Sequence, residues 1–478
     1  MKSSLNPTPT PNRIWMIAAL VFTMLSVGVD AEESPDIVFV IADDLGYLDA
    51  GFMGNPDVQT PALDELAEQS MQFHRMYVAS PTCAPSRGAL LSGLMPFRNG
   101  AEPNHSLVRD DVKQLPRYFK DLGYQVASFG KITHGKDKRA GFDVDDRRFS
   151  FENTQMVDEF LANRKGIRPL LMMVGIKDPH VPWPDTPDSN CDPAKLTPHQ
   201  QLIDTPQTRF HLARYYSDVQ RMDQQLAAVL RATKQHLGSD TIVIFTSDHG
   251  AQLPYGKWNN YDYSLRVPFL VHWPGVTKAG VKSNALISFV DILPTLIEIA
   301  GGKPPSAGFG SGQIDGRSFA DLLRGQTDQH RETVFSTNSS AAHHTYPLRS
   351  VRTRRFRYVM NVVPEWNFTT QTDHNPSAEG HAMWKSWIAK AKSDPEVAQK
   401  LREYHRRPAE ELYDLESDPS EQRNLAADPG YEAVKRRHRR LLNQWIRQSG
   451  DTLQRHGPPM DVLLEVPATH QSKATDSP

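Results

Sequence analysis

Short, unbroken apolar runs rich in β-branched residues recur along this chain: Ile37-Val38-Phe39-Val40-Ile41-Ala42, Leu170-Leu171-Met172-Met173-Val174-Gly175-Ile176 and Thr241-Ile242-Val243-Ile244-Phe245-Thr246-Ser247. Such runs predict strands buried on both faces of a parallel sheet. Residues 123–134, 71–79 and 267–273 predict further strands. Helix signals lie between them. Thr60-Pro61 opens one helix with a cap and a first-turn proline. Residues 115–122 and 289–300 predict two more, and Leu212, Tyr215, Val219, Met222, Leu226 and Val229 mark one face of a long amphipathic helix over 209–237. The Pro-, Asp- and Thr-rich stretch 183–208 reads as a surface excursion, and 301–316 as loop. Past residue 330 the texture changes. Residues 349–359 alternate basic and apolar positions, the pattern of antiparallel strands with one solvated face, before a strand at 411–415 and a helix at 431–448.

These elements predict an α/β fold: a large, mostly parallel sheet sandwiched by helices, with a smaller C-terminal antiparallel-sheet subdomain. The boundaries fall at 32–328 for the first part, 329–456 for the second and 457–478 for a poorly ordered tail. Lys2 and Arg13 precede an apolar run at 14–29, closed by Val29-Asp30-Ala31. That reads as a signal peptide over 1–31, because the run is shorter than the roughly 20 residues of a membrane span. The expected protein is exported, periplasmic or secreted in a bacterium and lysosomal in a eukaryote, with no membrane span after cleavage.

Composition narrows the partners. Among 478 residues, 54 Lys and Arg stand against 56 Asp and Glu, a formal net charge of −2, so bulk electrostatics do not point to nucleic acid. Chemistry gathers at the ends of the predicted strands instead. The first strand runs into Asp43-Asp44-Leu45-Gly46, the second ends in Lys131-Ile132-Thr133-His134, the next in Lys177-Asp178-Pro179-His180, and the last in Asp248-His249-Gly250, with Lys257 shortly beyond. Open α/β sheets place their sites at such ends. Adjacent carboxylates there suit a hard divalent cation.

A second cluster is Ser80-Pro81-Thr82-Cys83-Ala84-Pro85-Ser86-Arg87-Gly88. It predicts a helix capped by Thr82 or Cys83 and ended by Gly93, with Cys83 at the positive end of the dipole beside Arg87. The pattern Cys83-Ala84-Pro85-Ser86-Arg87 resembles the C-x-P-S-R signature of the formylglycine-dependent sulfatases of the alkaline phosphatase-like superfamily. The resemblance runs from about residue 35 to 450 and comes closest to the heparan N-sulfatases, or sulfamidases. Carrying it are Thr246-Ser247-Asp248-His249-Gly250 with Pro254 and Gly256-Lys257, His343-His344 with Tyr346-Pro347-Leu348-Arg349-Ser350-Val351, and Glu411-Leu412-Tyr413-Asp414 with Asp418-Pro419 and Asn424-Leu425.

The resemblance implies a sulfuric ester or sulfamate hydrolase whose nucleophile is formylglycine, made from Cys83 by a maturation enzyme. It implies a divalent cation, calcium with magnesium as the alternative, held by Asp43, Asp44, Cys83 in its modified form, Asp248 and His249. Arg87, Lys131 and Lys257 would neutralise sulfate oxygens, His180 would protonate the leaving atom, and His134 would assist sulfate release. His343, His344 and Arg349 are expected at the sugar of a sulfated saccharide substrate. A disulfide between Cys83 and Cys191 would consume the nucleophile precursor, so Cys191 is expected as a free thiol. His249 stands where the family commonly has asparagine, and Lys257 where sulfamidases have arginine and many O-sulfatases lysine. The expected activity is that of an N-sulfoglucosamine sulfohydrolase. Its rivals are a glycan O-sulfatase of the iduronate-2-sulfatase kind, a phosphoester hydrolase of the same superfamily and a silent glycan-binding protein, and an oligomer is compatible with any of them.

Overall fold

The strand Ile37–Ala42 lies at the centre of the molecule because its side chains divide between two apolar layers. Val38, Val40 and Ala42 enter one core while Ile37, Phe39 and Ile41 enter the other, and all are buried. In this computed structural model, which describes Met1 and residues 34–135, 140–166, 168–339 and 346–459, Ile37–Ala42 pairs in parallel with Leu170–Ile176 on one side and Ile242–Ser247 on the other. The same division holds for Leu170–Ile176. The expected signal peptide, His343, His344 and residues 460–478 lie outside the described residues.

The eight-stranded sheet runs in the order Lys282–Ser283, Met71–Phe73, Phe269–His272, Ile242–Ser247, Ile37–Ala42, Leu170–Ile176, Gln125–Gly130, Val144–Asp146. It is mostly parallel, with Phe269–His272 antiparallel to both neighbours. The long helix Pro206–His236 covers one face through Leu212, Tyr215, Val219, Met222, Leu226 and Val229. Helices Ile292–Ile299, Leu115–Asp121 and Cys83–Ser92 cover the other. The two-face burial expected from the unbroken runs is what the sheet uses.

Four regions depart from expectation. Residues 71–79 and 266–272 each break into two short strands, and Met76–Tyr77 and Arg266–Val267 pair in a separate three-stranded sheet with Ile287–Ser288. Residues 183–208 are not a surface excursion. Trp183, Cys191, Leu196, Leu202 and Ile203 are buried in the core beside the long helix. Two helices, His381–Ala391 and Pro395–His405, fill the interval before the last strand of the small sheet, and Trp387 Nε1 donates to Thr208 Oγ1 at 2.8 Å. Finally, the antiparallel sheet Val334–Asn338, Leu348–Arg352, Phe356–Asn361, Glu410–Asp414 has no basic solvated face at its centre. Arg349, Arg352 and Arg357 are buried, because carboxylates from elsewhere reach them. Phe335 stacks on Trp445 of the helix Glu432–Ser449 at 4.6 Å, which closes the small sheet's other side.

The described residues from Pro35 onward form one compact unit, with the strands of the large sheet before residue 329 and those of the small sheet after it. One apolar cluster joins Ala79 and Ala89 to Val351, Tyr358, Leu412 and Trp445. The helix that begins at Cys83 therefore sits between the large sheet and the small one.

Candidate active site

The parallel register puts Ala42 opposite both Ser247 and Ile176, so the residues that follow these strands emerge at one edge. Gly130 and Gly175 bring the fourth strand end into the same place. Gly130 has φ +70°, and a Cβ on Gly175 would collide with the Lys131 backbone. Only a strand pair without side chains there lets Lys131 turn over the sheet edge. Asp44 also adopts a left-handed φ of 68°, which turns its carboxylate back toward Asp248. For a residue other than glycine that conformation costs energy, and Asp44 N–H donates to Asp248 Oδ1 at 3.1 Å in return.

Across this edge lies the start of helix Cys83–Ser92. Thr82 occupies the cap position with extended dihedrals, yet its side chain does not cap; Asn104 Oδ1 accepts the Ala84 N–H at 3.2 Å instead. Gly93, at φ +67°, ends the helix as expected. Ser86 Oγ donates to the Asp248 carbonyl at 2.5 Å and fixes the helix to the strand end. Cys83 and Cys191 are both free thiols, and both are buried.

Asp44, Cys83, Asp248 and His249 present ligand atoms that all lie within 4.8 Å of one another. Cys83 Sγ is 3.3 Å from His249 Nε2. His249 Nδ1 donates to the Gly250 carbonyl at 2.9 Å, which leaves Nε2 to face the cluster. Asp43, the remaining expected ligand, is turned to cations: its oxygens meet Arg87 Nη2 at 3.0 Å and Lys131 Nζ at 2.5 Å. Arg87 also holds Asp248 through Nε at 2.8 Å and donates through Nη1 to the Lys131 carbonyl. Lys257 Nζ reaches both Asp44 oxygens, at 3.0 and 2.8 Å, and Gln252 Oε1 at 3.3 Å.

The ionisation of these groups fits a site built around positive charge. Burial opposes charge on His249, but Asp248 and Asp44 overcome it and raise its pKa to about 9. Burial raises Asp248 to about 6 against the pull of Arg87. Burial likewise opposes ionisation of Asp43, yet Lys131 and Arg87 hold it well below the usual carboxylate range. Cys83 is similar: burial works against its thiolate, and Lys131 and Lys257 bring its pKa far down. The donor set of two carboxylates, one imidazole and one thiol-bearing position fits a divalent cation.

His180 sits at the rim, its side chain 25% exposed and its Nε2 3.9 Å from Asp44 Oδ2, with Nδ1 donating to the Val181 carbonyl at 2.7 Å. Burial lowers its pKa, but Asp44, Asp43 and Cys83 together outweigh it, so the net shift is upward. His134 behaves oppositely. Burial drives its pKa down to about 4, its Nε2 pairs with His105 Nδ1 at 2.6 Å, and its buried Nδ1 has no hydrogen-bond partner among the described residues. All ten strand-end and helix-start residues expected at the site are therefore within this one cluster. Arg349 is not. It is fully buried, with donors spent on Glu102, Asp451, Ser339 and the Asn338 carbonyl, so it offers no free N–H to a sugar. Asn104, His105 and Gln252 were not foreseen; Asn104 and His105 are loop residues whose partners Ala84 and His134 lie in other elements, and Gln252 is a single polar residue in the loop before Lys257.

A doubly covered parallel sheet with acids, cations and a helix-start cysteine at one edge defines a hydrolase of anionic esters. The sulfatase family model matches residues 35–302 and the N-sulphoglucosamine sulphohydrolase C-terminal model residues 250–386. An ulvan-active sulfatase of Formosa agariphila is 33% identical over 449 residues, 90% of this chain and 84% of that protein. The human N-sulphoglucosamine sulphohydrolase is 30% identical over 486 residues, 91% of this chain and 94% of that one. Among solved structures, the phosphonate monoester hydrolase of Agrobacterium radiobacter shares the fold at a TM-score of 0.66 and 18% identity, covering 87% of this chain and 96% of its own. The chain belongs to the sulfatase family. It is a sulfatase, an enzyme that hydrolyses sulfuric esters or sulfamates.

Proposed function

We propose that this sulfatase removes sulfate from a sulfated saccharide, with N-sulfoglucosamine as the first candidate, through a formylglycine made from Cys83. The observation that carries the reading is the buried convergence of Asp44, Cys83, Asp248 and His249 beneath three cations. The substrate class is supported by the match over residues 250–386 and by the two saccharide-directed relatives. Lys257, which stands where sulfamidases carry arginine, favours an O-sulfatase as the second reading.

Asp44, Asp248, His249 and the modified Cys83, joined by Asp43, would hold calcium or magnesium, which when bound would supply Lewis acidity to the site. A hydrated aldehyde at position 83 supplies two hydroxyls, one to attack sulfur and one to expel sulfate afterwards. Arg87, Lys131 and Lys257 face the same volume and stabilise charge as it builds on the sulfate oxygens. His180 has an upward-shifted pKa and spends its Nδ1 proton on the Val181 carbonyl, so the second proton of its charged form sits on Nε2, from which it passes to the leaving nitrogen or oxygen. His134, uncharged and with its Nδ1 unpartnered, accepts the proton of the second step. Lys2, Arg13 and the apolar run at 14–29 support export.

The test combines peptide mass spectrometry of the Cys83 segment with turnover of N-sulfoglucosamine, 6-O-sulfoglucosamine and a phosphate monoester by one sample. Expected are an aldehyde at position 83 and fastest release from the N-sulfate. An active sample with unmodified cysteine would overturn the nucleophile, and O-sulfate turnover without N-sulfate turnover would establish the second reading.

A further inference from the structure

A cleft of about 980 Å³ opens between the edge strand Lys282–Ser283, the hairpin turn of the small sheet at 353–356 and the helix Glu432–Ser449. No residue of the candidate active site lines it. Its floor is apolar, with Met71, Leu286, Leu322 and Phe356, and its walls are basic. Arg324, Arg331 and Arg355 are already engaged, by Glu298, Asp291 and Asp414. Arg75, Lys278, Lys282, Arg354 and Arg437 are different: among the described residues, none has a carboxylate within ion-pair distance. Only Asp328 and Glu332 bring negative charge to the lining.

That imbalance is local, since the chain as a whole carries a formal net charge of −2. Arg75 shows its consequence. Its Nη1 is buried without a hydrogen-bond partner among the described residues, and burial together with Arg352 lowers its pKa. Uncompensated cations crowded around an apolar floor repel one another until an anion arrives. The floor and the volume suit sugar rings, whose C–H faces pack on apolar side chains while their sulfates meet the walls.

We infer that this cleft binds a second stretch of the sulfated polysaccharide whose end occupies the active site, a polyanion exosite that holds the polymer without hydrolysing it. The inference rests on the saccharide reading above for its occupant. The cations that can be removed at least structural cost are Lys278, Lys282, Arg354 and Arg437, all exposed.

The experiment compares the wild-type enzyme with a variant carrying Lys278→Ser, Lys282→Ser, Arg354→Ser and Arg437→Ser. Binding of fluorescent dextran sulfate is read by anisotropy at low and high salt, and hydrolysis is read on a sulfated monosaccharide and on a sulfated polysaccharide. The variant is expected to bind dextran sulfate about tenfold more weakly at low salt, as follows from losing several exposed ion pairs. Its KM for the polysaccharide rises similarly, while kcat and all constants for the monosaccharide stay put. Equal dextran sulfate binding by the two proteins overturns the inference. So does inorganic sulfate competing as well as the polymer at equal sulfate concentration, which would mark a lone-anion site, and so does a changed oligomeric state with unchanged polymer binding, which would mark an interface between copies. Failure to hydrolyse any saccharide would sink the function reading and leave the anisotropy result standing by itself.

Discussion

Two regions of this protein bury charge on a large scale, and they do so to opposite ends. In the small sheet, Arg349 lies between Glu102 at 2.8 Å and Asp451 at 2.5 Å, and Arg357 between Asp262 and Glu421 at 2.7 Å. Each guanidinium is enclosed by acidic side chains from distant segments. At the sheet edge, Asp44, Cys83, Asp248 and His249 converge on one another under Arg87, Lys131 and Lys257, while Lys131 and His180 keep part of their surface open. Buried pairs with every partner in place fix geometry, whereas a cluster of donors aimed at a common point is poised for a ligand. Burial and charge alone therefore do not mark a site; convergence with an opening does.

The difference can be broken from either side. Cys83→Ala should leave folding intact, since a small side chain replaces a small buried one, and should cut sulfate release by about 10⁴-fold or more, as loss of a nucleophile does. Steady-state kinetics beside a melting curve would check it; turnover near wild type would remove Cys83 from the chemistry. Arg349→Met should do the reverse. It leaves Asp451 buried without its cation and Glu102 with His456 alone, a loss of about 3–5 kcal/mol in denaturant unfolding, with the turnover of the folded fraction unchanged. A drop in turnover instead would return Arg349 to the substrate.

Lys257→Met sits between these outcomes, because the side chain is both buried against Asp44 and directed into the cluster. Its loss should lower kcat by about 10²–10³-fold, the range for one group that stabilises transition-state charge. The smallest effect is expected at Glu421. Burial pushes its pKa up, Arg357 opposes and Asp262 adds, for a value of about 8. The folded carboxyl then keeps a proton that the unfolded one releases near pH 4.5. Its contribution is full below the unfolded value and fades as pH rises through about 8. Glu421→Gln should flatten that loss while changing stability at pH 6 by under about 1 kcal/mol, measured as unfolding free energy from pH 6 to 9. A wild-type curve without the alkaline decline would show Glu421 ionised throughout.

Much of this was written into the chain. The unbroken runs at Ile37–Ala42, Leu170–Ile176 and Ile242–Ser247 could only be strands covered on both faces, and that forced their polar ends to one edge once they paired in parallel. Period and composition are local properties, so sequence reading captured them. The helices His381–Ala391 and Pro395–His405 also had local signals, an Asp394-Pro395 start among them, yet were passed over. The buried arginines could not be read the same way. Their basic and apolar alternation has the same form whether the basic side meets water or carboxylates, and Glu102, Asp262, Glu421 and Asp451 come from remote parts of the chain.

The amino-acid sequence by itself determined the strand ends, the helix that presents Cys83 and the roster of ten residues that meet there, because each belongs to a short segment with its own pattern. Only the tertiary structure decided which of those acids faces the cysteine and which faces a cation, that Asn104 and not Thr82 caps the helix, and that His105 stands against His134. Those choices depend on distances between segments far apart in the chain, and such distances are set by packing and by electrostatic balance across the whole fold.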